Sequence, residues 1–389
     1  MKIIRYLLDG LGHDKIVFLE MLPYASQYIN TACEKNNYVE IETEEKYEND
    51  VIEKVEYLRR VLTSNDMKSK REISIKNIKE STSNELLNQQ NIFGKLIEEG
   101  FIVPICNGVY AYGGIFLHVF NYFCEKINMF GKKSFSSIVE YEVPAIFPID
   151  KFAEGKYFEN FPHHIMFQTV MQNDIKILEQ FAKKGVSDKK VFEKMQSPLN
   201  VLRHAACVPI YPLLKNTIID KAEPKCFLVS GKCFRNEGKN AFELARLNEF
   251  YMKEYVFVGT QEQIYEFIKK GRELWNEWTD IFRLNCRVDT ANDSFFASNY
   301  KKLRFFQIMG DSKQEFKVLI PGTNDYIAVS SSNIHRTHFT KSYNIRNSDA
   351  YCSSSCVAFG IDRLTYALLS QKGLDVSRWD QKTREEINI

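Results

Sequence analysis

Residues 233 to 260 read CFRNEGKNAFELARLNEFYMKEYVFVGT, two runs of strand-forming residues around a polar loop. Arg235, Glu237, Arg246, Glu249 and Glu254 stand where a sheet ought to be apolar. The first run begins upstream as KCFLVSGKCFRNE, from Lys225, with Gly231 as an expected bulge. Strand alternation puts Phe250, Met252, Glu254 and Val256 on one face of the second run, and Tyr251, Lys253, Tyr255 and Phe257 on the other. In the first run Cys233, Arg235 and Glu237 fall together. An antiparallel hairpin with matching faces gathers two carboxylates, a guanidinium and a ring on one sheet surface. Such a surface is either solvated or built to bind something, because burying unpaired charge is costly.

With 389 residues, 44% hydrophobic and 26% charged, the chain suffices for one large domain and a smaller one or an extension. A formal charge of +2, from 52 basic and 50 acidic side chains, gives no global field that would recommend nucleic acid as partner. The nine cysteines are odd in number and lack C-x-x-C pairs, and MKIIRYLLDGLGHDKIVF shows no signal-peptide cleavage pattern. A reducing cytoplasm is the expected location. The longest apolar run, VYAYGGIFLHVFNYF, carries a His and two Gly and falls short of a membrane span.

Residues 1–90 are charge-rich, with a helical spacing of Val51, Ile52, Val55, Leu58 and Val61; residues 63–84 read as a solvated loop or linker. From Asn91 aromatic residues rise and strand-like runs alternate with turns. The expected organisation is a small N-terminal extension of unknown role over 1–90 and a catalytic-type α+β domain over 91–389. Near the C-terminus, SSSCVAFGIDRLTYALL joins an extended run through Gly360 to a helix whose Ile361, Leu364, Leu368 and Leu369 face a core. Arg363 in its first turn either snorkels to water or aims a planar donor fork at a phosphate.

Together the two stretches resemble motifs 2 and 3 of class II aminoacyl-tRNA synthetases. Phe234-Arg235-Asn236-Glu237 with Phe250 matches motif 2. Cys356, Ala358, Gly360, Asp362 and Arg363 follow motif 3, with its first two glycines absent and Asp in place of Glu. A helix followed by YEVPAIFPIDKFAEGKYFENFPHHIMF resembles the motif 1 region. The resemblance implies a mainly antiparallel sheet flanked by helices, and a homodimer. It also implies ATP-dependent formation of an aminoacyl-adenylate. Arg235 would bind the α-phosphate and the activated carboxylate, Arg363 the γ-phosphate, and Arg246 would be a second phosphate clamp. Phe250 would stack under adenine and Glu237 accept from its amino group, with Mg²⁺ bridging the phosphates.

Cys207, Glu254 and Cys356, at these motif positions, resemble the zinc site of atypical, methanogen-type seryl-tRNA synthetases and of the amino acid:[carrier protein] ligases. GVYAYGGIF, SSSNIHRTHF and CVAFGIDRLTYALL are similar to segments of those ligases, and the likeness spans roughly residues 95 to 375. Three protein ligands leave one position open for a substrate amine. By the same resemblance Ser332 and Asn333 would line the amino acid pocket. His335 and His338 read either as a metal pair or, more plainly, as pocket wall, while Cys352 and Glu249 are weaker ligand candidates than their neighbours. Only 26 residues follow Arg363, which leaves no C-terminal anticodon-binding domain, and residues 1–90 show neither sustained heptads nor a basic aromatic stripe. The expected reaction is activation of a small amino acid, glycine or alanine before serine, and transfer to the phosphopantetheine thiol of a carrier protein. Transfer to tRNA is disfavoured. The alternatives are a zinc-dependent seryl-tRNA synthetase with a reduced tRNA-binding region, and a non-enzymatic regulator built on a synthetase body.

Overall fold

The structure is a computed structural model that describes residues 1–64, 75–82, 84–187, 189–291 and 312–389. The N-terminal unit is an antiparallel sheet of β1 (Lys2–Leu7), β2 (Thr31–Glu34) and β3 (Tyr38–Thr43) in the order β1-β3-β2. Alternation in β3 turns Val39 and Ile41 inward, onto the helices Lys15–Met21 and Glu48–Thr63. The longer helix buries Val51, Val55, Leu58 and Leu62, one stripe at helical spacing. Leu62 takes the place expected for Val61, which lies at the margin of that stripe.

Beyond it come β4 (Asn77–Ser81), β5 (Ile102–Cys106), β6 (Val109–Tyr112), β7 (Ile138–Glu142), β8 (Ile146–Pro148), β9 (Met166–Gln168) and β10 (Asn200–Leu202). Then follow β11 (Lys225–Phe234), β12 (Glu249–Gly259), β13 (Cys286–Thr290), β14 (Lys313–Ile320), β15 (Asp325–Arg336) and β16 (Ser353–Gly360). Eight of these form one sheet, ordered β4-β13-β14-β15-β16-β12-β11-β7. All neighbours are antiparallel except β7, which runs parallel to β11. The loop expected over 63–84 lies partly outside the described residues; within it β4 pairs with β13 and begins the large sheet before residue 91.

The two faces of this sheet do different work. Tyr255, Phe257, Val357 and Phe359 face a core closed by the helices Gly114–Ser134, Gln261–Gly271, Glu273–Phe282 and Ile361–Lys372. The opposite face, bearing Val229, Cys233, Val256, Val258 and Cys356, packs in part on residues 143–219 and 339–352. Where that cover stops, the sheet floors a cavity. Among the described residues no helix is long and apolar enough to cross a membrane.

The bulge expected at Gly231 is absent. β11 and β12 stay in unbroken register from Lys225↔Val258 to Phe234↔Glu249. Gly231 instead makes room for Arg203, whose buried guanidinium donates to the carbonyls of Lys232 (2.8 Å) and Val143 (2.7 Å). A Cβ there would lie 2.0 Å from Arg203 Nη2, on a backbone with φ +134°. Gly231→Ala is expected to lower unfolding stability by about 2–4 kcal/mol, read as a lower urea midpoint; an unchanged midpoint would mean that Arg203 is free to move aside.

Candidate functional site

The cavity over the open sheet face measures about 1,030 Å³. Arg235, Glu237, Arg246, Phe250, Glu254, Asn333, Cys207, Cys356 and Arg363 all line it. Each gets there by a local reason. The hairpin loop after β11 is pinned shut by Asn248, whose carbonyl accepts the Arg235 N–H (3.0 Å) and whose Oδ1 accepts the Glu237 N–H (2.8 Å). Asn248 is braced in turn by the β5–β6 turn, through the carbonyls of Gly108 (2.9 Å) and Asn107 (2.8 Å). The Arg235 guanidinium carbon stands 5.1 Å from the centre of the Phe250 ring, and its Nε donates to the His204 carbonyl at 3.2 Å. Glu237 is buried; Oε1 lies 3.8 Å from His164 Nδ1, and Oε2 lies 3.5 Å from Arg246 with no hydrogen-bonded donor among the described residues.

Arg363 is fixed from the other side. It stands in the first turn of the helix Ile361–Lys372 and donates to the Ala328 carbonyl at 3.0 Å. Burial and the nearby Arg235 charge push it down to about 10. Its neighbour Asp362, buried, accepts from Tyr112 Oη (2.6 Å) and the Tyr251 N–H (2.7 Å), tying the helix start to β6 and β12.

Deeper in the cavity, Cys207, Glu254 and Cys356 are all buried, with ligand atoms within 4.8 Å of one another. Glu254 and Cys356 sit diagonally on adjacent strands, since Glu254 pairs with Ala358 and Val256 with Cys356. Glu254 Oε1 accepts the N–H groups of Ala206 (2.7 Å) and Cys207 (3.2 Å), which draws the third ligand in. Cys356 Sγ accepts from Asn333 Nδ2 at 3.5 Å and lies 3.8 Å from His335 Nε2, while His335 Nδ1 meets Tyr211 Oη at 3.0 Å. A hydrogen bond shared with Cys356, burial and the Glu254 charge hold the Cys207 thiol well above its ordinary range. No Lys or Arg pairs with Glu254 among the described residues. Two thiols and a carboxylate gathered this closely are a donor set that suits Zn²⁺ in a three-ligand site with one open position.

No family model matches the chain. It is 25% identical over 258 residues to the type-2 serine–tRNA ligase of Methanothermobacter thermautotrophicus, covering 64% of this chain and 50% of that one. To amino acid–[acyl-carrier-protein] ligase 1 of Bradyrhizobium diazoefficiens it is 32% identical over 194 residues, covering 49% and 58%. Among solved structures, the Methanopyrus kandleri seryl-tRNA synthetase bound to an Aquifex aeolicus tRNA superposes with a TM-score of 0.73 at 18% identity, over 99% of this chain and 77% of that one. The seryl-tRNA synthetase of Pyrococcus horikoshii complexed with ATP superposes with a TM-score of 0.59 at 14% identity, over 78% and 63%. The core is of the class II aminoacyl-tRNA synthetase type. The matched stretch spans about half the length of the serine–tRNA ligases.

One expected pocket residue does not lie where the resemblance puts it. Ser332 does not line the cavity: next to Asn333 on β15, it points to the other face, where its hydroxyl accepts from Arg272 Nε at 3.0 Å. Ser331 lines the cavity in its stead. His335 and His338 have separate partners: His335 meets Tyr211 and Cys356, and His338 Nε2 lies 3.4 Å from the Gly155 carbonyl. Glu249 ion-pairs with Lys232. Asn248, Tyr112 and His164 were not singled out from the sequence, because each acts through partners far away in the chain.

His163 and His164 lie behind Arg235. Burial, then the Arg235 charge, pushes His163 down to about 4; burial, His163 and Arg235 push His164 lower still. Both are therefore neutral imidazoles at neutral pH. Between pH 6.5 and 4 the unfolded chain binds more protons than the folded one, so stability falls as pH drops through that window. His163→Gln is expected to shrink the fall in urea midpoint between pH 7 and pH 4.5; an identical fall in both proteins would contradict this.

Proposed function

We propose that this protein activates a small amino acid with ATP and passes it, as a thioester, to the phosphopantetheine thiol of a carrier protein. The convergence of Cys207, Glu254 and Cys356 beside Arg235 and Arg363 in one cavity carries the reading. Arg235 stabilises charge on the α-phosphorus as the amino acid carboxylate attacks it and pyrophosphate leaves. Arg363, fixed on its helix, and Arg246, on the loop, take the terminal phosphates. Phe250 offers a ring face to adenine. Glu237, its Oε2 lacking a hydrogen-bonded donor, accepts from the adenine amino group. Mg²⁺ brought in with the ATP would offset the phosphate charge. Cys207, Glu254 and Cys356 would hold Zn²⁺, which would supply a Lewis acid for the substrate's α-amine. Asn333 and His335 orient the Cys356 sulfur, and Glu254 is held by the backbone of Ala206 and Cys207. In the second step the thiol sulfur forms a bond to the carbonyl carbon and AMP leaves, its phosphate taking the thiol proton.

Glycine or alanine suits a site that selects by its amine, with serine next. The match to the carrier-protein ligase, at the higher identity of the two relatives, supports a thiol acceptor. One observation favours a second reading, seryl-tRNA synthesis: the superposition on the tRNA-bound M. kandleri enzyme takes in 99% of this chain, the N-terminal unit included. A homodimer formed through the helix Gly114–Ser134 and β7, whose Val139 and Tyr141 are exposed, and a cytoplasmic location complete the proposal.

Amino-acid-dependent ATP–pyrophosphate exchange, run across the twenty amino acids and β-alanine with zinc determined on the same sample, tests the first step. Exchange with one small amino acid and about one zinc per chain is expected; a folded, zinc-loaded protein with none would overturn the reading. Arg363→Ala should cut exchange about 10²–10³-fold without unfolding. Cys356→Ala should lose zinc and exchange together. Holo-carrier protein and tRNA(Ser), offered separately as acceptors, decide the second step.

A further inference from the structure

The same loop that carries Arg235, Glu237 and Arg246 is fastened to the N-terminal unit at three places. Tyr24 Oη donates to the Asn236 carbonyl at 2.8 Å, and Asn240 Nδ2 donates to the Glu20 carbonyl at 3.0 Å. Arg246 Nη2 donates to Glu20 Oε1, also at 3.0 Å. The Tyr24 ring meets His163 edge-on at 5.0 Å, behind the cavity wall. Ile16, Val17 and Glu20 themselves line the cavity. The helix Lys15–Met21 is therefore a wall of the site as well as part of the N-terminal core.

The charges around Arg246 do not suit an open phosphate clamp. It stands between Glu20 and Glu237, two carboxylates against one guanidinium. Arg235 and Arg363 are hydrogen-bonded to backbone carbonyls instead, which leaves their charge for an anion. A triphosphate arriving at Arg246 meets the Glu20 carboxylate where its own terminal oxygens must sit, and like charges repel. The Glu20 pair is partly exposed, with side-chain exposures of 38% for Arg246 and 30% for Glu20, so it is weak enough to be exchanged.

Resting on the nucleotide reading of the cavity, we propose that Glu20 is a residue of the ATP site supplied by the N-terminal unit. It holds Arg246 while the site is empty and releases it to the terminal phosphates. The exchange links ATP occupancy to how the N-terminal unit is seated on the loop, and the linkage runs both ways. A macromolecule that pulls the N-terminal unit off the loop thereby frees Arg246 for ATP. AMP, which lacks the terminal phosphates, leaves the Glu20–Arg246 pair in place.

Calorimetric binding of ATP and of AMP to the full chain, wild type against Glu20→Gln, tests this. Glu20→Gln is expected to tighten ATP about 2–5-fold, the range for a partly exposed ion pair, and to leave AMP unchanged. In an Arg246→Ala background the same substitution should change nothing, and Glu20→Ala should behave as Glu20→Gln does. Amide exchange over residues 15–24 should quicken with ATP and not with AMP. Equal or weaker ATP binding by Glu20→Gln overturns the gate alone. Folded wild type and variant that both fail to bind ATP overturn the nucleotide reading, and the gate with it.

Discussion

Glu254 is a carboxylate buried in a central strand of an eight-stranded sheet, and the site depends on how its two oxygens are used. Oε1 accepts two backbone N–H groups from Ala206 and Cys207, a charge-assisted arrangement that fastens a distant loop onto the sheet face. That contact places the Cys207 sulfur against Cys356, one strand away. The remaining oxygen and two sulfurs are then three donors around one point, in a place where unpaired charge is costly. A divalent cation there would relieve the cost directly, and no other positive partner for Glu254 stands among the described residues.

The same face continues from the metal-fitting cluster to the guanidinium groups. Glu254, Met252 and Phe250 follow one another along β12 at two-residue steps, so the thiol-and-carboxylate end and the ring end of the cavity are set by a single strand. Arg235 arrives over Phe250 because the hairpin is in register, and Arg363 arrives because β16 turns into its helix beside β12. The spacing between these groups is thus held by backbone hydrogen bonds rather than by flexible side chains, which is what positioning catalysis requires. Asp362 belongs to this scaffold. Its carboxylate is satisfied by Tyr112 and the Tyr251 amide, so it anchors the helix that presents Arg363.

Much of this was legible in the sequence because the strands obey a two-residue period. The faces assigned to Phe250, Met252, Glu254 and Val256 are those in the structure, and the core side of the Arg363 helix is as expected. Ser332 came to the pocket by resemblance alone, and alternation is what sets it on the face away from Asn333, where Arg272 reaches it. Gly231 looked like a bulge since nothing in the sequence announces that Arg203, 28 positions earlier, will lie across it. The strand at 77–81 was hidden for a similar reason. Apart from Ile78 its residues are polar, all but Ser81 are exposed, and only pairing with β13 at the sheet edge makes them a strand.

Activation and acceptor choice place different demands on the chain. The groups proposed for adenylate formation stand on the large sheet and the elements directly joined to it, where registry fixes them. The proposed acceptor would have to be recognised over a wider surface than the cavity itself offers. Arg246 lies where the large sheet meets the N-terminal unit, on the hairpin loop yet paired with a carboxylate of that unit. A loop braced on one side by Asn107 and Gly108 of the core, and on the other by Glu20 and Tyr24, cannot move without disturbing both sets of contacts. The N-terminal unit is consequently mechanically coupled to the cavity, and a reading of the protein that treats it as a separate appendage leaves out part of the site.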